Sequence, residues 1–162
     1  MEVGRGVTRP KVAGQVTISD GYDGMTIDSR RLRVHLGRKN FKPLQAVWLD
    51  RNRDGRYGDT ERVTHRDSPG LVLTTPHGRS CRAHLSSMHI DREQQGPLRA
   101  CIRLHGTHRD DTGHFFRYVV RLHLFRGLPD VRFDYTFIND HAQTTMSQVD
   151  RLTCGFQLAG DG

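Results

Sequence analysis

Three consecutive segments with alternating apolar and polar residues constrain the fold of this chain more than any other feature. They span residues 98–105, 114–125 and 130–138, and apolar residues occupy every second position in each. This period of two is typical of a β-strand with one buried face and one face in water, whereas a helix would repeat every three or four residues. The segments therefore predict a three-stranded antiparallel sheet.

The same segments predict a register. A first loop closed over residues 109–113 places Leu104 opposite Tyr118, and a four-residue second loop places Leu122 opposite Phe133. Every apolar residue then faces another apolar residue across the strands. A slip by one residue would turn a whole apolar set into water, so we expect the register to be strongly specified.

The opposite face of the predicted sheet is basic. In the predicted register, Arg121 lies opposite Asp134 and Arg117 lies opposite His105. Charged outer faces are ordinary for antiparallel sheets, so one interpretation is a solvated surface. The other is a surface that binds an anionic partner, either a uronate-containing acidic polysaccharide or the acidic flank of a neighbouring domain. The candidate substrate-binding residues are Arg99, Arg103, Arg117, Arg121 and Arg132.

The rest of the chain also reads as short strands. Strand-like runs of three to ten residues recur between Gly- and Pro-rich turns, and no segment sustains an i, i+3, i+4 apolar pattern. About nine or ten short strands at this spacing predict an all-β fold, an antiparallel β-barrel or sandwich. We expect residues 1–14 to be a flexible N-terminal lead-in and residues 15–162 to form a single β domain.

Composition limits the choice of partners. The 162 residues carry a formal charge of +7, and only three of the 25 basic residues are lysines. The basic residues are scattered and match no nucleic-acid-binding motif, so we expect no nucleic-acid partner. No apolar run reaches transmembrane length and no signal peptide is visible, so we expect a soluble chain without a membrane partner. Three cysteines without a C-x-x-C pair argue against a disulfide framework.

Residues 50–61 match the calcium-loop pattern D-x-[DN]-x-[DN]-G-x5-E over its full length. Calcium prefers about 6–8 oxygen ligands, and Gly55 permits the sharp bend that lets them converge. The predicted ligands are Asp50, Asn52, Asp54, the carbonyl oxygen of Arg56, and Glu61. The flanking segments read as strands, so this would be a structural Ca²⁺ site and not an EF-hand. The alternative is an Asx-rich turn whose carboxylates pair with the surrounding arginines.

A histidine group offers a third interpretation. His105, His108 and His114 flank one predicted hairpin beside Asp110 and Asp111, and histidine is a common metal ligand and general base. These residues favour a small metal-dependent enzyme as a further alternative. No G-x-S-x-G, P-loop or H-E-x-x-H motif accompanies them, so we assign no catalytic residue in this chain.

Residues 96–106, 116–124 and 127–137, together with residues 47–57, resemble the N-terminal β domain of the exo-rhamnogalacturonan lyase (PcRGLX) and YetA-like family. The resemblance implies a RIFT-barrel-like fold. It also implies a non-catalytic module of a longer pectin-related lyase, placed ahead of a helical catalytic domain. Such a module would pack on that downstream catalytic domain and help to bind an anionic polysaccharide. The alternative of a different class is a stand-alone carbohydrate-binding module that uses the calcium loop.

Overall fold

The computed structural model describes residues 13–38, 42–44, 46–65, 67–140 and 146–159. The described part of the chain contains ten β-strands and one short 3-10 turn, and this confirms the all-β prediction. The elements are β1 (Thr17–Asp20), β2 (Gly24–Asp28), β3 (Leu32–Gly37), β4 (Ala46–Leu49), the 3-10 turn (Asp59–Glu61), β5 (Gly70–Thr74), β6 (Ser80–Gln95), β7 (Arg99–Asp110), β8 (Gly113–Phe125), β9 (Val131–Ile138) and β10 (Arg151–Gly155).

The strands form two antiparallel sheets. The first is a meander in the order β1-β2-β3-β4, and the second has the order β10-β5-β6-β7-β8-β9. Every pairing joins neighbours in sequence except β10 with β5, which brings the last described strand back beside the fifth. No helix in the described part of the chain is long and apolar enough to cross a membrane. Of the predicted lead-in, residues 1–12 lie outside the described residues.

The core lies between the two sheets. Ile27 and Val34 from the four-stranded sheet pack in one cluster with Ile102, Val120 and Leu122 from the six-stranded sheet, and all five are fully buried. The residues predicted as the apolar face thus meet the apolar face of the second sheet. Burying one such side chain contributes about 1.5–3 kcal/mol, so this interface holds the sandwich together.

The predicted register between β8 and β9 is confirmed. Tyr118 pairs with Phe137 and Leu122 with Phe133, and Arg121 lies opposite Asp134 on the other face. Apolar side chains meet on the core face, as cross-strand matching requires.

The predicted register between β7 and β8 is wrong by two residues. Leu104 pairs with Val120 and not with Tyr118, because the loop is a two-residue turn and not a five-residue one. The Asp110 carboxylate accepts hydrogen bonds from the Thr112 and Gly113 backbone N–H groups at 2.9 and 3.1 Å and fixes this turn. A bulge after His108 completes the adjustment. A shift by two keeps every residue on its predicted face.

Two side chains on β7 and beside it differ from expectation. The alternation over residues 98–105 predicts Leu98 on the core face, but Leu98 precedes the strand and is 58% exposed. The same alternation predicts Cys101 on the outer face, in water, but Cys101 is 2% exposed because its thiol is hydrogen-bonded to Glu93. The outer face is therefore covered in part by its own charged side chains.

The core face is left open at the two edge strands of the six-stranded sheet. Phe137 on β9 is 50% exposed, Leu152 on β10 is 36% exposed and Cys154 on β10 is exposed. Leu152 and Cys154 pair with the buried Leu73 and Leu71, so they lie on the core side of the sheet. We call the three residues Phe137, Leu152 and Cys154 the open inner face.

Candidate functional site

The outer face of the six-stranded sheet holds all five arginines predicted to bind substrate. Arg103 pairs with Arg121 across β7 and β8, and His123 pairs with Arg132 across β8 and β9. The alternate residues of the same strands are buried in the core, so these side chains lie on the opposite surface. The five arginines therefore lie on the outer face, as the sequence predicts. What each arginine can bind depends on the partners that it already has within the domain.

Arg121 is held by an acidic residue that the sequence analysis did not single out. Its Nε and Nη2 groups donate to the two carboxylate oxygens of Glu93 on β6 at 2.7 and 2.9 Å. The Cys101 thiol donates to the same carboxylate at 3.2 Å. Arg121, followed by the Cys101 hydrogen bond, lowers the pKa of Glu93 to about 2. Arg121 is therefore already neutralised by the domain.

Arg99 and Arg132 belong to one chain of hydrogen bonds. Arg99 Nη2 donates to His123 Nδ1 at 2.8 Å, so the proton of His123 lies on Nε2, which donates to Asp134 at 3.0 Å. Arg132 Nε donates to the other oxygen of Asp134 at 2.9 Å. Arg132, followed by burial and His123, sets the pKa of Asp134, and the net effect is to lower it. One carboxylate thus serves both arginines.

Arg117 is paired with Asp140, which follows β9. Its Nε lies 2.9 Å from an Asp140 oxygen, and its backbone N–H donates to the same carboxylate at 3.2 Å. Its side chain is 57% exposed, so this pair is worth little in stability. It nevertheless places a carboxylate beside the guanidinium group.

Arg103 differs from Arg117, Arg121 and Arg132 because it makes no ion pair with any residue that the structure describes. Its Nε, like that of Arg99, is buried without an acceptor. Arg103 lines a hollow of about 180 Å³ with His105, Gly106, Thr107 and Arg117. Of the five predicted substrate-binding residues, Arg103 is the one with neither a carboxylate nor a histidine partner among the described residues.

The three histidines of the alternative enzyme hypothesis do not converge. His108 is fully buried on the core face, where Nδ1 donates to the Phe116 carbonyl at 3.1 Å and Nε2 accepts from the Tyr135 hydroxyl at 2.9 Å. Burial lowers the pKa of His108. His105 lies on the outer face beside the Arg103 hollow, and His114 lies at the exposed hairpin end. A residue fully satisfied in the core and two residues elsewhere cannot share a metal.

Asp110, the carboxylate expected to assist those histidines, has a structural partner. Arg79 donates to both of its oxygens at 2.5 and 2.9 Å, and Thr112 donates to it from its backbone and side chain. Arg79 is the main reason that the pKa of Asp110 lies well below its usual range. Asp111 is exposed in the adjacent turn. Asp110 therefore anchors the hairpin and is not poised for proton transfer.

The acidic loop curls as its sequence pattern predicts. The Asp50 carboxylate accepts a hydrogen bond from the Gly55 N–H at 3.1 Å. The Asn52 side chain accepts one from the Asp54 N–H at 2.9 Å, and the Asp54 carboxylate accepts one from the Arg56 N–H at 2.7 Å. Gly55 has a φ of 75°, a left-handed conformation that glycine adopts without steric cost. These hydrogen bonds are those of an Asx-rich turn.

The far end of the loop is closed by Glu61. Its carboxylate accepts the backbone N–H groups of Arg51 at 3.1 Å and Gly58 at 3.3 Å, and the residue is 8% exposed. Asp50 is 2% exposed, and its Oδ1 is buried without a hydrogen-bond partner. Among the described residues, no three His, Cys, Asp or Glu side chains gather closely enough to hold a metal ion. The Asp50 oxygen fits a cation, whereas Glu61 is engaged with the backbone.

Several residues that shape this surface were missed in the sequence. Glu93, Asp140 and Arg79 each neutralise or anchor a predicted site residue across 23 to 31 positions of chain. No local pattern marks them. Only the cross-strand alignment of β6 with β7 could have suggested that Glu93 reaches Arg121.

The fold and its surface define an all-β sandwich domain with a basic outer sheet face and no catalytic cluster gathered among the described residues. The model of the PcRGLX-like protein central β-sandwich domain matches residues 16–153, and the chain belongs to that family. The predicted family is thereby confirmed. The matching model describes the central sandwich, whereas the resemblance was to an N-terminal RIFT-barrel domain. No curated protein matches the chain.

Proposed function

We propose that this chain is a non-catalytic β-sandwich domain of a rhamnogalacturonan lyase-like, carbohydrate-active protein. In this proposal the domain packs on a catalytic domain and contributes basic groups to the binding of an acidic polysaccharide. The single observation behind the proposal is the family match over residues 16–153, which ties the chain to PcRGLX-like proteins.

The open inner face supports the packing part of the proposal. A domain described as central in its family has neighbours in the same polypeptide, and such neighbours bury apolar surface. Phe137 and Leu152 expose 50% and 36% of their area on the core side of the two edge strands. A catalytic domain seated there would remove this apolar area from water.

Charge supports the polysaccharide part. The net charge of +7 attracts a polyanion at long range, and arginine binds carboxylates with a two-pronged geometry. Of the five outer-face arginines, only Arg99 and Arg103 lack a carboxylate partner among the described residues, so this face contributes attraction more than specific contacts.

Affinity electrophoresis of the chain through gels that contain either rhamnogalacturonan or neutral galactan tests the proposal. We expect retardation by the acidic polymer that disappears at about 0.5 M salt, since screening shortens the range of charge attraction. Equal mobility in both gels would contradict a role in polysaccharide binding. For packing, Phe137→Lys in the longest reading frame that contains this chain should lower lyase activity, and the exposed Thr136→Lys is the matched control.

A second candidate function is calcium binding by the acidic loop, favoured by the buried and unpartnered Oδ1 of Asp50. An isolated carboxylate oxygen in a dry site is costly, and a bound cation would remove that cost. Asp50, Asn52, Asp54, the Arg56 carbonyl and Glu61 would supply hard oxygens, as Ca²⁺ prefers. Glu61 would first have to release the N–H groups of Arg51 and Gly58.

Thermal unfolding with and without calcium tests this candidate. With a dissociation constant of about 0.1–1 mM, 10 mM Ca²⁺ would stabilise the fold by about 1.4–2.7 kcal/mol, which is roughly a 3–10 °C rise in Tm. Magnesium should give a smaller rise, because it requires a tighter octahedral site. Asp50→Asn should abolish the rise. An unchanged Tm in 10 mM Ca²⁺ would leave the loop as an Asx-rich turn.

A further inference from the structure

A cavity of about 420 Å³ lies at one end of the sandwich, away from the outer sheet face. It forms where the β2–β3 turn, the acidic loop and the β8–β9 turn meet. Four arginines line it, Arg30, Arg31, Arg53 and Arg126, together with the single carboxylate of Asp50. Four guanidinium groups and one carboxylate give the lining a formal charge of +3.

The walls of this cavity are fixed by hydrogen bonds between the turns. The Gly127 N–H donates to the Ser29 carbonyl at 2.7 Å, and the Ser29 hydroxyl donates to the Leu128 carbonyl at 3.0 Å. The Asp50 N–H donates to the Arg31 carbonyl at 3.0 Å, which ties the acidic loop to the β2–β3 turn. Ser29 is fully buried, so these contacts are shielded from water. The cavity is therefore preformed.

The cavity arginines have no competing acidic partners. None of the four makes an ion pair with any residue in the described part of the chain, and the Arg126 side chain donates through Nε to the Gly14 carbonyl at 3.2 Å. On the outer face, by contrast, Glu93, Asp134 and Asp140 each pair with one arginine, so three of the five arginines have a carboxylate partner. The guanidinium charges at the cavity are therefore not offset by ion pairs in the described part of the chain.

Two of the arginines occupy strained backbone positions. Arg30 has a φ of 75° and Arg53 a φ of 65°, and a left-handed conformation is unfavourable for a residue with a side chain. Glycine adopts the same conformation freely. Arginine at both positions is a poor choice for folding, and such strain is found where function requires a residue.

The chemistry and size of the cavity define its ligand. A guanidinium group binds a planar carboxylate through two parallel hydrogen bonds. Small-ligand sites span about 300–1,000 Å³, so 420 Å³ holds one sugar ring. We propose that this cavity is the anion-binding subsite of the domain and takes the carboxylate of one hexuronate residue. The inference rests on the proposed function and relocates its specific contacts from the outer face to the end of the sandwich.

Titration of the ¹⁵N-labelled chain with D-galacturonate, followed by two-dimensional NMR, tests the subsite. The amide signals of Gly14, Gly55 and Gly127 report on the cavity, and we expect them to shift at millimolar ligand. D-Galactose, which has the same ring without the carboxylate, should shift none of them. Inorganic phosphate distinguishes a uronate site from a general anion site, and equal or tighter phosphate binding would overturn the assignment to a sugar acid.

A double variant at the two strained arginines separates a loss of ligand binding from a loss of folding. Arg30→Gly combined with Arg53→Gly removes two guanidinium groups while relieving the backbone, so the fold should be kept. We expect galacturonate affinity to fall at least tenfold, whereas Arg132→Gln on the outer face should change it less than twofold. The reverse result would overturn the cavity assignment and leave the proposed function standing. Failure of the wild-type chain to bind either galacturonate or rhamnogalacturonan would refute both.

Discussion

His108 should make the stability of this domain fall steeply in mild acid. The residue is fully buried, with Nδ1 donating to the Phe116 carbonyl and Nε2 accepting from the Tyr135 hydroxyl. It also lies against the Tyr118 ring, with centroids 5.1 Å apart, and none of these three contacts is with a carboxylate. Protonation of Nε2 would bury a charge and set a donor against the Tyr135 hydroxyl. The folded state therefore favours neutral His108.

The sign and size follow from this arrangement. The pKa of His108 is lowered in the fold, whereas in the unfolded chain it is about 6.5. The unfolded state therefore binds more protons in the acid range, and the contribution to stability is complete above about pH 6.5 and decreases below it. Each pH unit in that range is worth up to about 1.4 kcal/mol, so lowering the pH from 7.5 to 5.0 should remove up to about 2 kcal/mol.

Urea unfolding at pH 7.5 and 5.0 measures this loss against a variant that cannot titrate. His108→Leu with Tyr135→Phe removes the imidazole and the hydroxyl that faces it. At pH 7.5 the variant should be less stable by about 1–3 kcal/mol, since the Phe116 carbonyl loses its donor. Between pH 7.5 and 5.0 it should lose less stability than the wild type, by up to about 2 kcal/mol. His77→Gln, at an exposed turn, should follow the wild type, and parallel losses in all three proteins would refute the reasoning.

Two further predictions concern the core and the thiols. Leu122→Ala, at a fully buried position between the sheets, should lower the free energy of unfolding by about 2–5 kcal/mol in urea, whereas Thr136→Ala on the exposed side of β9 should change it by less than about 0.5 kcal/mol. A thiol reagent at pH 8 should label the exposed Cys154 first and label Cys81 and Cys101 only slowly, because both of these side chains are buried. Desolvation raises the pKa of all three thiols, for Cys101 to about 11. Rapid labelling of two thiols in the Cys154→Ser variant would contradict this placement.

The two hairpins of the central strands show how far cross-strand matching reaches. Between β8 and β9 it gave the observed pairs, such as Leu122 with Phe133. Between β7 and β8 it placed Leu104 two residues away from its true partner, Val120. Apolar residues on alternate positions match equally well after a two-residue shift, so the pattern fixes the face and not the register. The turn decides between the registers. Its conformation is fixed by hydrogen bonds to the Asp110 carboxylate, and the pattern of apolar residues does not reveal these bonds.

The candidate site was less predictable than the fold for a similar reason. The period of two correctly assigned Arg99 and Arg121 to the outer face, but their partners Glu93 and His123 depend on which strands become neighbours. The bulges in β6 between His84 and His89 and again after Arg92 also alter which side chains align, and no local signal marks them.

The outer sheet face and the end cavity differ in their ion pairs, and this difference determines where the domain can bind an anion. A ligand carboxylate that binds Arg121 or Arg132 on the outer face would have to displace Glu93 or Asp134, and each exchange replaces one carboxylate contact by another with little net gain. At the end cavity, no carboxylate has to leave Arg30 or the other cavity arginines before a ligand binds, so the full interaction is available. Asp50 is the one carboxylate in the cavity lining. A cation bound to its unpartnered Oδ1 would cancel its charge and strengthen anion binding in the cavity. If both proposals hold, calcium should therefore tighten galacturonate binding, and Asp50→Asn should reproduce that effect without calcium.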